Sequence, residues 1–331
     1  MVVPPGIASL PRFGLLAGPS PLLPMLRFSA ALGGTAQIWI KREDLLPLAF
    51  GGNKLRNLEF LVGAALAEDA DTLITSGRRW SNHCRLTAAA GARAGLAVHL
   101  VLTGPPPAAG DEGPNQRLDE MLGATVHVCA TDDRAERAAL VDAIAAAERR
   151  AGHRPYVIGV GGTSPIGAAG QVLAGLEVAA QLDAAGVGHA TIVLPSATGG
   201  TQAGVLVGLA LASPARSVIG IAVAAPATGL RPTVESILEG LVPLAGVHVS
   251  PDAVILEDDQ LGDGYGRPTV AADEAGRLLA RTEGILVDPI YTAKALAGLA
   301  ARVRDGRLRG PLVFWHAGGT PGIFEQLPPS V

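Results

Sequence analysis

The sequence predicts an α/β protein with more strands than one sheet comfortably holds. From residue 70 onwards short β-rich apolar runs alternate with longer Ala/Leu-rich helical patterns, which is how parallel strands joined by crossover helices read. Pro- and Gly-rich segments punctuate the alternation, at 103–114 (TGPPPAAGDEGP) and at 159–170 (GVGGTSPIGAAG). The 331 residues, at roughly 150 per domain, leave room for two domains.

In chain order, the amphipathic LRNLEFLVGAAL predicts a helix at 55–68. TLITS then predicts a strand at 72–76, followed by a helix at 82–94. Strands are expected at 97–102, 125–128 and 155–160, with helices at 115–122 and 132–151 between them. A helix at 166–184 leads to a strand at 191–195, a helix at 200–212 and a strand at 217–224. The pattern then reads helix 231–241, strand 254–257, helix 269–283, strand 285–287, helix 291–305 and strand 312–316. The uncharged stretch 190–215 has the length of a membrane span, but Pro195, Gly199, Gly200 and Gln202 break it into strand, turn and buried helix.

Composition narrows the function. The chain is 48% hydrophobic and 17% charged, with a mean hydropathy of +0.34, which places it among folded proteins. A formal charge of −4 and 4% aromatic residues supply neither the basic field nor the stacking rings that nucleic acid requires. Cys84 and Cys129 are too few for a disulfide framework and fit a reducing compartment. The start, MVVPPGIASLPRFGLLAGPSPLLPML, lacks a basic region ahead of its apolar residues, so a cytoplasmic protein without a membrane anchor is expected.

Of the 26 basic residues only Lys41, Lys54 and Lys294 are lysine, the rest being arginine. Where charge alone is needed this chain uses Arg, so each lysine raises the question of what an amine does that a guanidinium cannot. A desolvated ε-amine loses its proton and condenses with a carbonyl, whereas Arg stays charged. Lys54 is the best placed, because it follows Gly51-Gly52-Asn53 and opens the predicted helix at 55–68. A helix-start lysine with a snorkelling stem is the competing reading. Lys41 and Lys294 are expected in ion pairs or at element ends.

Strand-like TIVLPSA runs into Thr198-Gly199-Gly200-Thr201 and then into an apolar helix. That order exposes backbone N–H groups at a positive helix end and adds two hydroxyls, which suits a phosphate. It is neither a Walker loop nor a dinucleotide fingerprint, and a plain Gly-rich turn would read the same. Ser81-Asn82-His83 follows strand TLITS, at the carboxyl end where open α/β sheets place ligands, although Ser81 and Asn82 also suit a helix cap. Arg78 and Arg79 beside them can fork onto a carboxylate or sulfonate. Tyr265 and Tyr291 lie on turns, where tyrosines serve as half-buried anchors, and can act as acids or bases if a positive group lowers their pKa. The run Arg302, Arg304, Arg307 and Arg309 reads as a solvated helix end. No carboxylate or second histidine accompanies His83 at ligand spacing, so no metal is expected.

Taken together, these residues resemble the D-cysteine desulfhydrase/1-aminocyclopropane-1-carboxylate deaminase family of pyridoxal-phosphate enzymes. The likeness extends over most of the chain, through IKREDLLPLAFGGNKLRNLEFL, SNHCRLTAAAGARAGL, GPNQRLDEMLGA, YVIGVGGTSPIGAAG, TGGTQAG, GYGRPT, EGILVDPIYTAKALAGL and VFWHAGGTPGIF. It implies a tryptophan synthase β-like fold (fold type II), with two open, twisted, mostly parallel sheets flanked by helices. A small domain at 50–160 would be inserted into a large one formed by 1–49 and 161–331, and the protein would be a homodimer.

By that resemblance Lys54 would hold the cofactor covalently through its amine and exchange the α-proton. Asn53, Asn82, Thr198, Gly199, Gly200, Thr201 and Thr292 would also bind the cofactor. Ser81, Asn82, His83, Arg78, Arg79 and Trp80 would face a small amino-acid substrate, with Ser81, Tyr265 and Tyr291 assisting the chemistry. The implied reaction is a β-elimination that gives a keto acid, ammonia and a leaving group such as sulfide. Departures from the family's usual pattern keep other outcomes open. Arg78-Arg79-Trp80 makes the substrate turn bulkier and more cationic, Ala317 replaces a threonine, Asn57 a lysine and Gln171 a tyrosine. Thr292 stands where the deaminase branch has Glu and favours the desulfhydrase-like branch. The alternatives are elimination or replacement on a more anionic substrate such as cysteate or a cysteine conjugate, 1-aminocyclopropane-1-carboxylate deamination, and ligand binding without catalysis.

Overall fold

The computed structural model describes residues 2–104, 112–212 and 215–325, so residues 105–111 of the predicted Pro/Gly-rich loop lie outside the described residues. The chain begins with α1 (Pro5–Ala8), β1 (Leu22–Pro24), α2 (Leu26–Ala31) and β2 (Ile38–Arg42). The alternation pattern predicts none of these four, because they are short and two of the strand residues that matter are charged. Lys41, in β2, is fully buried and donates to the Ser20 carbonyl at 2.7 Å, to Gln181 Oε1 at 2.8 Å and to the Glu177 carboxylate.

The next stretch forms one sheet. It comprises α3 (Lys54–Ala67), β3 (Thr72–Arg78), α4 (Asn82–Ala94), β4 (Ala97–Thr103), α5 (Gly113–Met121), β5 (Thr125–Cys129), α6 (Arg134–Arg150) and β6 (Pro155–Val157). Its four strands are all parallel in the order β5-β4-β3-β6. The helices α3 and α4 cover one face through Leu55, Leu58, Val62 and Leu86, and α6 covers the other through Val141 and Ile144. The predicted strand at 155–160 stops at Val157, where a 3₁₀ turn over Val160–Gly162 takes over.

The remainder comprises α7 (Pro165–Ala184), β7 (Ala190–Ser196), α8 (Gly200–Ala212), β8 (Arg216–Ala222), α9 (Ala227–Ala245), β9 (Ile255–Glu257), α10 (Val270–Glu283), α11 (Thr292–Arg304) and β10 (Leu312–His316). With β1 and β2 it forms a six-stranded sheet in the order β1-β2-β10-β7-β8-β9, in which β1 alone runs antiparallel to its neighbour. One face packs on α7, α8 and α9 through residues such as Val172, Val205 and Leu241, the other on α2, α10 and α11 through Phe28, Leu279 and Leu296. Residues 285–287, predicted as a strand, lie outside both sheets, and Ile285 and Val287 instead pack against the second of these cores. Arg302 is buried and paired with Glu257 at 3.0 Å and Asp259 at 3.1 Å, so the expected solvated arginine run does not include it. Among the described residues no helix is long and apolar enough to cross a membrane.

A buried charge network ties α3 to the six-stranded unit. Arg56 donates to Glu43 Oε2 at 2.6 Å and to Glu177 Oε2 at 3.0 Å, and all three sit with Lys41 and Ser20. Breaking one partner would strand a buried charge, so the network fixes where the first turn of α3 points.

Candidate active site

A cavity of about 300 Å³ opens between the two sheets, at the carboxyl ends of β3 and β7. Its walls bring together Lys54, Asn53, Ser81, Asn82, His83 and Arg78 with Thr198, Gly199, Thr201, Tyr265 and Tyr291. Residues separated by more than 200 positions in sequence thus meet around one space.

Lys54 is the first residue of α3, and its Nζ donates to the Gly161 carbonyl at 2.8 Å. That carbonyl is presented by the 3₁₀ turn after β6, where Gly161 has a φ of 71° and a Cβ would meet Thr198 Oγ1 at 2.8 Å. No carboxylate among the described residues pairs with Lys54, and burial alone pulls its ammonium down to about 8. Lys294 is pulled down to about 8 as well, but it faces the carbonyls of Leu261 (2.7 Å) and Gly264 (3.1 Å), away from the cavity walls. It makes no ion pair among the described residues; standing in the first turn of α11, at an element end as expected, it ties down the loop that precedes Tyr265. The environment of the amine, more than its acidity, sets Lys54 apart.

The anion cradle follows β7. The strand ends at Ser196, Gly199 turns at φ 80°, and α8 begins at Gly200, which aims its opening N–H groups and the positive helix end at the cavity. Thr163 Oγ1 donates to Thr198 Oγ1 at 2.5 Å, which leaves the Thr198 proton free to point elsewhere. Asn53 joins the cradle to α3, since its Nδ2 donates to Thr201 Oγ1 at 2.8 Å and its backbone N–H to the Ala317 carbonyl at 2.9 Å. The Ser196 hydroxyl lines the same wall, buried and without a hydrogen-bond partner among the described residues.

The opening of α4 supplies the opposite wall. Ser81 is its N-cap, accepting from the Cys84 N–H at 3.2 Å, and also lines the cavity, so the capping and ligand-facing readings of Ser81 coexist. Asn82 Oδ1 accepts from Arg85 Nη1 at 2.8 Å and Asn115 Nδ2 at 3.4 Å. With its oxygen so held, Asn82 turns its NH₂ donor to the cavity. The proton on Thr75 Oγ1 goes to the Ile158 carbonyl, so His83 Nε2 must donate to Thr75 at 3.0 Å and His83 Nδ1 carries the lone pair. Burial, with the Lys54 charge adding to it, lowers His83 to about 3 and keeps the ring neutral.

The third wall carries the tyrosines. The Tyr265 and Tyr291 hydroxyls hydrogen-bond each other, and burial raises both phenols, Tyr291 well above its ordinary value. Asp288, which the sequence reading does not single out, accepts from the N–H groups of Ile290 (3.0 Å), Tyr291 (2.7 Å) and Thr292 (3.1 Å), and desolvation raises its carboxyl to about 7. An Asp-Pro pair just ahead of a helix is the signal of such a cap.

Several expected site residues fall elsewhere. Thr292 is fully buried outside the cavity lining, with its hydroxyl given to Asp288 and its Oγ1 3.1 Å from the Gly318 carbonyl. Arg79 turns away to Glu325 at 2.8 Å, and Trp80 packs edge-on behind Tyr265 with ring centroids 6.0 Å apart; neither lines the cavity. Gly200 serves as the first residue of α8 without lining it. Asn57 and Gln171, both departures from the family pattern, touch each other: Gln171 Nε2 donates to Asn57 Oδ1 at 2.6 Å and to the Asn53 carbonyl at 2.8 Å. The mouth holds groups that the sequence reading misses, namely Asp132, Arg134 and Arg137 at the start of α6.

A family model described as "Pyridoxal-phosphate dependent enzyme" matches residues 14–318. A D-cysteine desulfhydrase of Salmonella choleraesuis (strain SC-B67) is 40% identical over 329 residues, covering 97% of this chain and 98% of that protein. The crystal structure of an ACC deaminase homologue superposes with a TM-score of 0.88 at 35% identity, over 96% of this chain and 95% of that one. The processed form of threonine deaminase isoform 2 from Solanum lycopersicum, at 20% identity, matches with a TM-score of 0.67 over 95% of this chain and 82% of that one, and shares the fold.

Proposed function

This chain belongs to the pyridoxal-phosphate-dependent enzymes, and on that premise we propose that it is a lyase removing an α-proton and a β-leaving group from a small, cysteine-like amino acid. One observation carries the reading: a buried amine whose ammonium is lowered to about 8, with no acid partner among the described residues, shares a cavity with a glycine-lined helix terminus suited to phosphate. The residues fit the cofactor on three independent grounds. They offer a reactive amine, a turn at Gly161 and Thr198 in which a Cβ would collide, and an unpartnered Ser196 hydroxyl in the wall.

In this reading Lys54 would hold the cofactor through Nζ, and Thr198, Gly199, Gly200 and Thr201 would hold its phosphate. Asn82 would donate from Nδ2 to the ring hydroxyl, and Asn53 would keep cradle and amine in register. When bound, the cofactor supplies an electron-withdrawing ring conjugated to the substrate nitrogen, which lowers the cost of an electron pair on Cα. Lys54 Nζ, its ammonium lowered to about 8 by burial, would take up the α-proton in its amine form. Ser81 and the donor end of α4 would receive the substrate carboxylate. Tyr265 and Tyr291 keep their protons at working pH, so the pair offers an acid to a departing thiolate. His83 stays neutral and shapes the wall. In this reading Thr292 would take no part in holding the cofactor, since its hydroxyl is given to Asp288.

The relative's printed activity and the threonine at 292 favour D-cysteine as a substrate, with sulfide leaving. We further infer a homodimer in the cytoplasm, the latter supported by two buried, unpaired cysteines, and a smaller domain at 50–160 whose strands form their own sheet. Incubation with D-cysteine tests the activity: equal amounts of pyruvate, ammonia and sulfide are expected. Formation of a new thioether in the presence of added thiol, without keto acid, would assign β-replacement instead.

A further inference from the structure

Resting on the lyase reading and deepening it, we propose that the preferred substrate carries a second anion on its β-substituent, a sulfonate or a carboxylate, received at the cavity mouth by Arg78, Arg134 and Arg137. All three arginines line the cavity. Of the carboxylates that share it, Asp288 is buried and occupied in capping α11, and Asp132 is exposed and paired with Arg78. Among the described residues that line the cavity, the mouth therefore carries three arginines against the one exposed carboxylate of Asp132.

Arg134 and Arg137 make no ion pair among the described residues. They occupy the first turn of α6, three residues apart and so on one face, where the helix dipole disfavours cations. The same helix ends in Arg149 and Arg150, where the dipole favours them, so the placement at the start is a local cost that an incoming anion offsets. The first acidic residue, Asp133, is taken up by the cap, accepting from the Ala135 and Glu136 N–H groups at 2.6 and 3.1 Å. Arg78 is pre-set for a planar anion. Its guanidinium lies 5.6 Å from the Trp80 ring centre and 6.0 Å from that of Tyr265, which holds the fork beside the proposed proton donors. Trp80 thus acts on the site through Arg78 without entering it.

The cofactor phosphate does not account for these arginines. Its cradle is built from the β7 to α8 turn and Asn53, whereas the arginines come from β3 and α6 of the four-stranded sheet. A sulfonate also solves the leaving-group problem. The Cβ–S bond breaks with its electron pair on sulfur, sulfite departs and the α-proton goes to Lys54. Cysteate plus one water then gives pyruvate, ammonia and bisulfite, without external oxidant or reductant. With S-carboxymethylcysteine the same bond releases mercaptoacetate, its carboxylate reaching further towards the mouth.

The test measures kcat/KM of the holoenzyme for both enantiomers of cysteine, cysteate and S-carboxymethylcysteine, in wild type, Arg78→Gln and Arg134→Gln/Arg137→Gln. Calorimetric binding of homocysteate, which has no leaving group on Cβ, is measured alongside. Wild type is expected to prefer one anionic substrate over cysteine. The double variant should lower that preference about tenfold, the scale of one lost charged contact, and weaken homocysteate binding similarly. Turnover of cysteine with an unchanged preference in the variants overturns the proposal and leaves the lyase reading intact. Lost cofactor affinity in the double variant, with preference unchanged, assigns the arginines to the cofactor and also overturns it. Keto acid from none of the substrates overturns the lyase reading, and homocysteate binding then decides the anion site by itself.

Discussion

Arg85 Nη1 donates to Asn82 Oδ1 at 2.8 Å, and this bond decides which end of the Asn82 amide faces the cavity. Arg85 is itself fully buried, held by Asn115 Oδ1 at 2.7 Å and the Gly51 carbonyl at 3.1 Å. The wall opposite Lys54 is thus oriented by a guanidinium that does not line the cavity.

Releasing that orientation should weaken cofactor binding more than it weakens the fold. Asn115→Ala removes the acceptor for Arg85 and the Nδ2 donor shared by the Trp80 carbonyl at 2.8 Å and Asn82 Oδ1 at 3.4 Å, at about 1 to 2 kcal/mol of hydrogen bonding. Cofactor affinity, read from absorbance titration, is expected to fall about tenfold. Asn115→Asp, which keeps the acceptor for Arg85 but loses the donor to the Trp80 carbonyl, should recover only part of it.

Gly199 has little tolerance for a side chain. Its φ of 80° and the 2.8 Å approach a Cβ would make to Val234 Cγ2 predict that Gly199→Ala costs about 1 to 2 kcal/mol and distorts the cradle. A lower melting temperature together with weaker cofactor binding is expected. Adding Val234→Ala should relieve the clash and restore part of the binding, leaving the backbone cost.

Asp119 gives stability a pH dependence. Its carboxyl is fully buried, has no hydrogen-bond partner among the described residues and is raised by desolvation to about 8, against an unfolded value of about 4. A raised folded value means that its favourable contribution is complete below about pH 4 and is lost as pH rises through about 8. The denaturant midpoint is expected to decline over that interval, and Asp119→Asn should flatten the decline.

Lys54 should show its own acidity chemically. Since burial lowers its ammonium to about 8, the neutral amine grows as pH rises through that value rather than through 10.5. The rate at which apoenzyme traps pyridoxal phosphate should follow a single apparent pKa near 8. A profile still rising at pH 10 would place the amine in water.

Some of this was legible in the sequence for identifiable reasons. The ends of α4 and α8 match the predicted 82–94 and 200–212 because Ser81 caps one and a glycine turn opens the other. Lysine scarcity singles out Lys54, since an amine is informative where arginine is the default cation. β2 is hidden because Lys41 and Arg42 end it, and only its partners at Glu177 and Gln181 make a buried Lys41 acceptable. Arg78 and Arg79 look equivalent on paper, yet successive residues of an extended chain face opposite ways, so one reaches the cavity and the other Glu325. Thr292 adjoins Tyr291 in sequence but turns inward at the start of α11, under Asp288. Arg134 and Arg137 read as a helix surface because the cavity they border is closed by residues far along the chain.

One covalent attachment, of the cofactor to Lys54, underlies every role proposed for the cavity. Borohydride reduction of the yellow holoenzyme, followed by peptide mapping, should bleach the colour and leave the cofactor on the peptide that contains Lys54. Label on the Lys41 or Lys294 peptide, or a protein that stays colourless with pyridoxal phosphate, would contradict it.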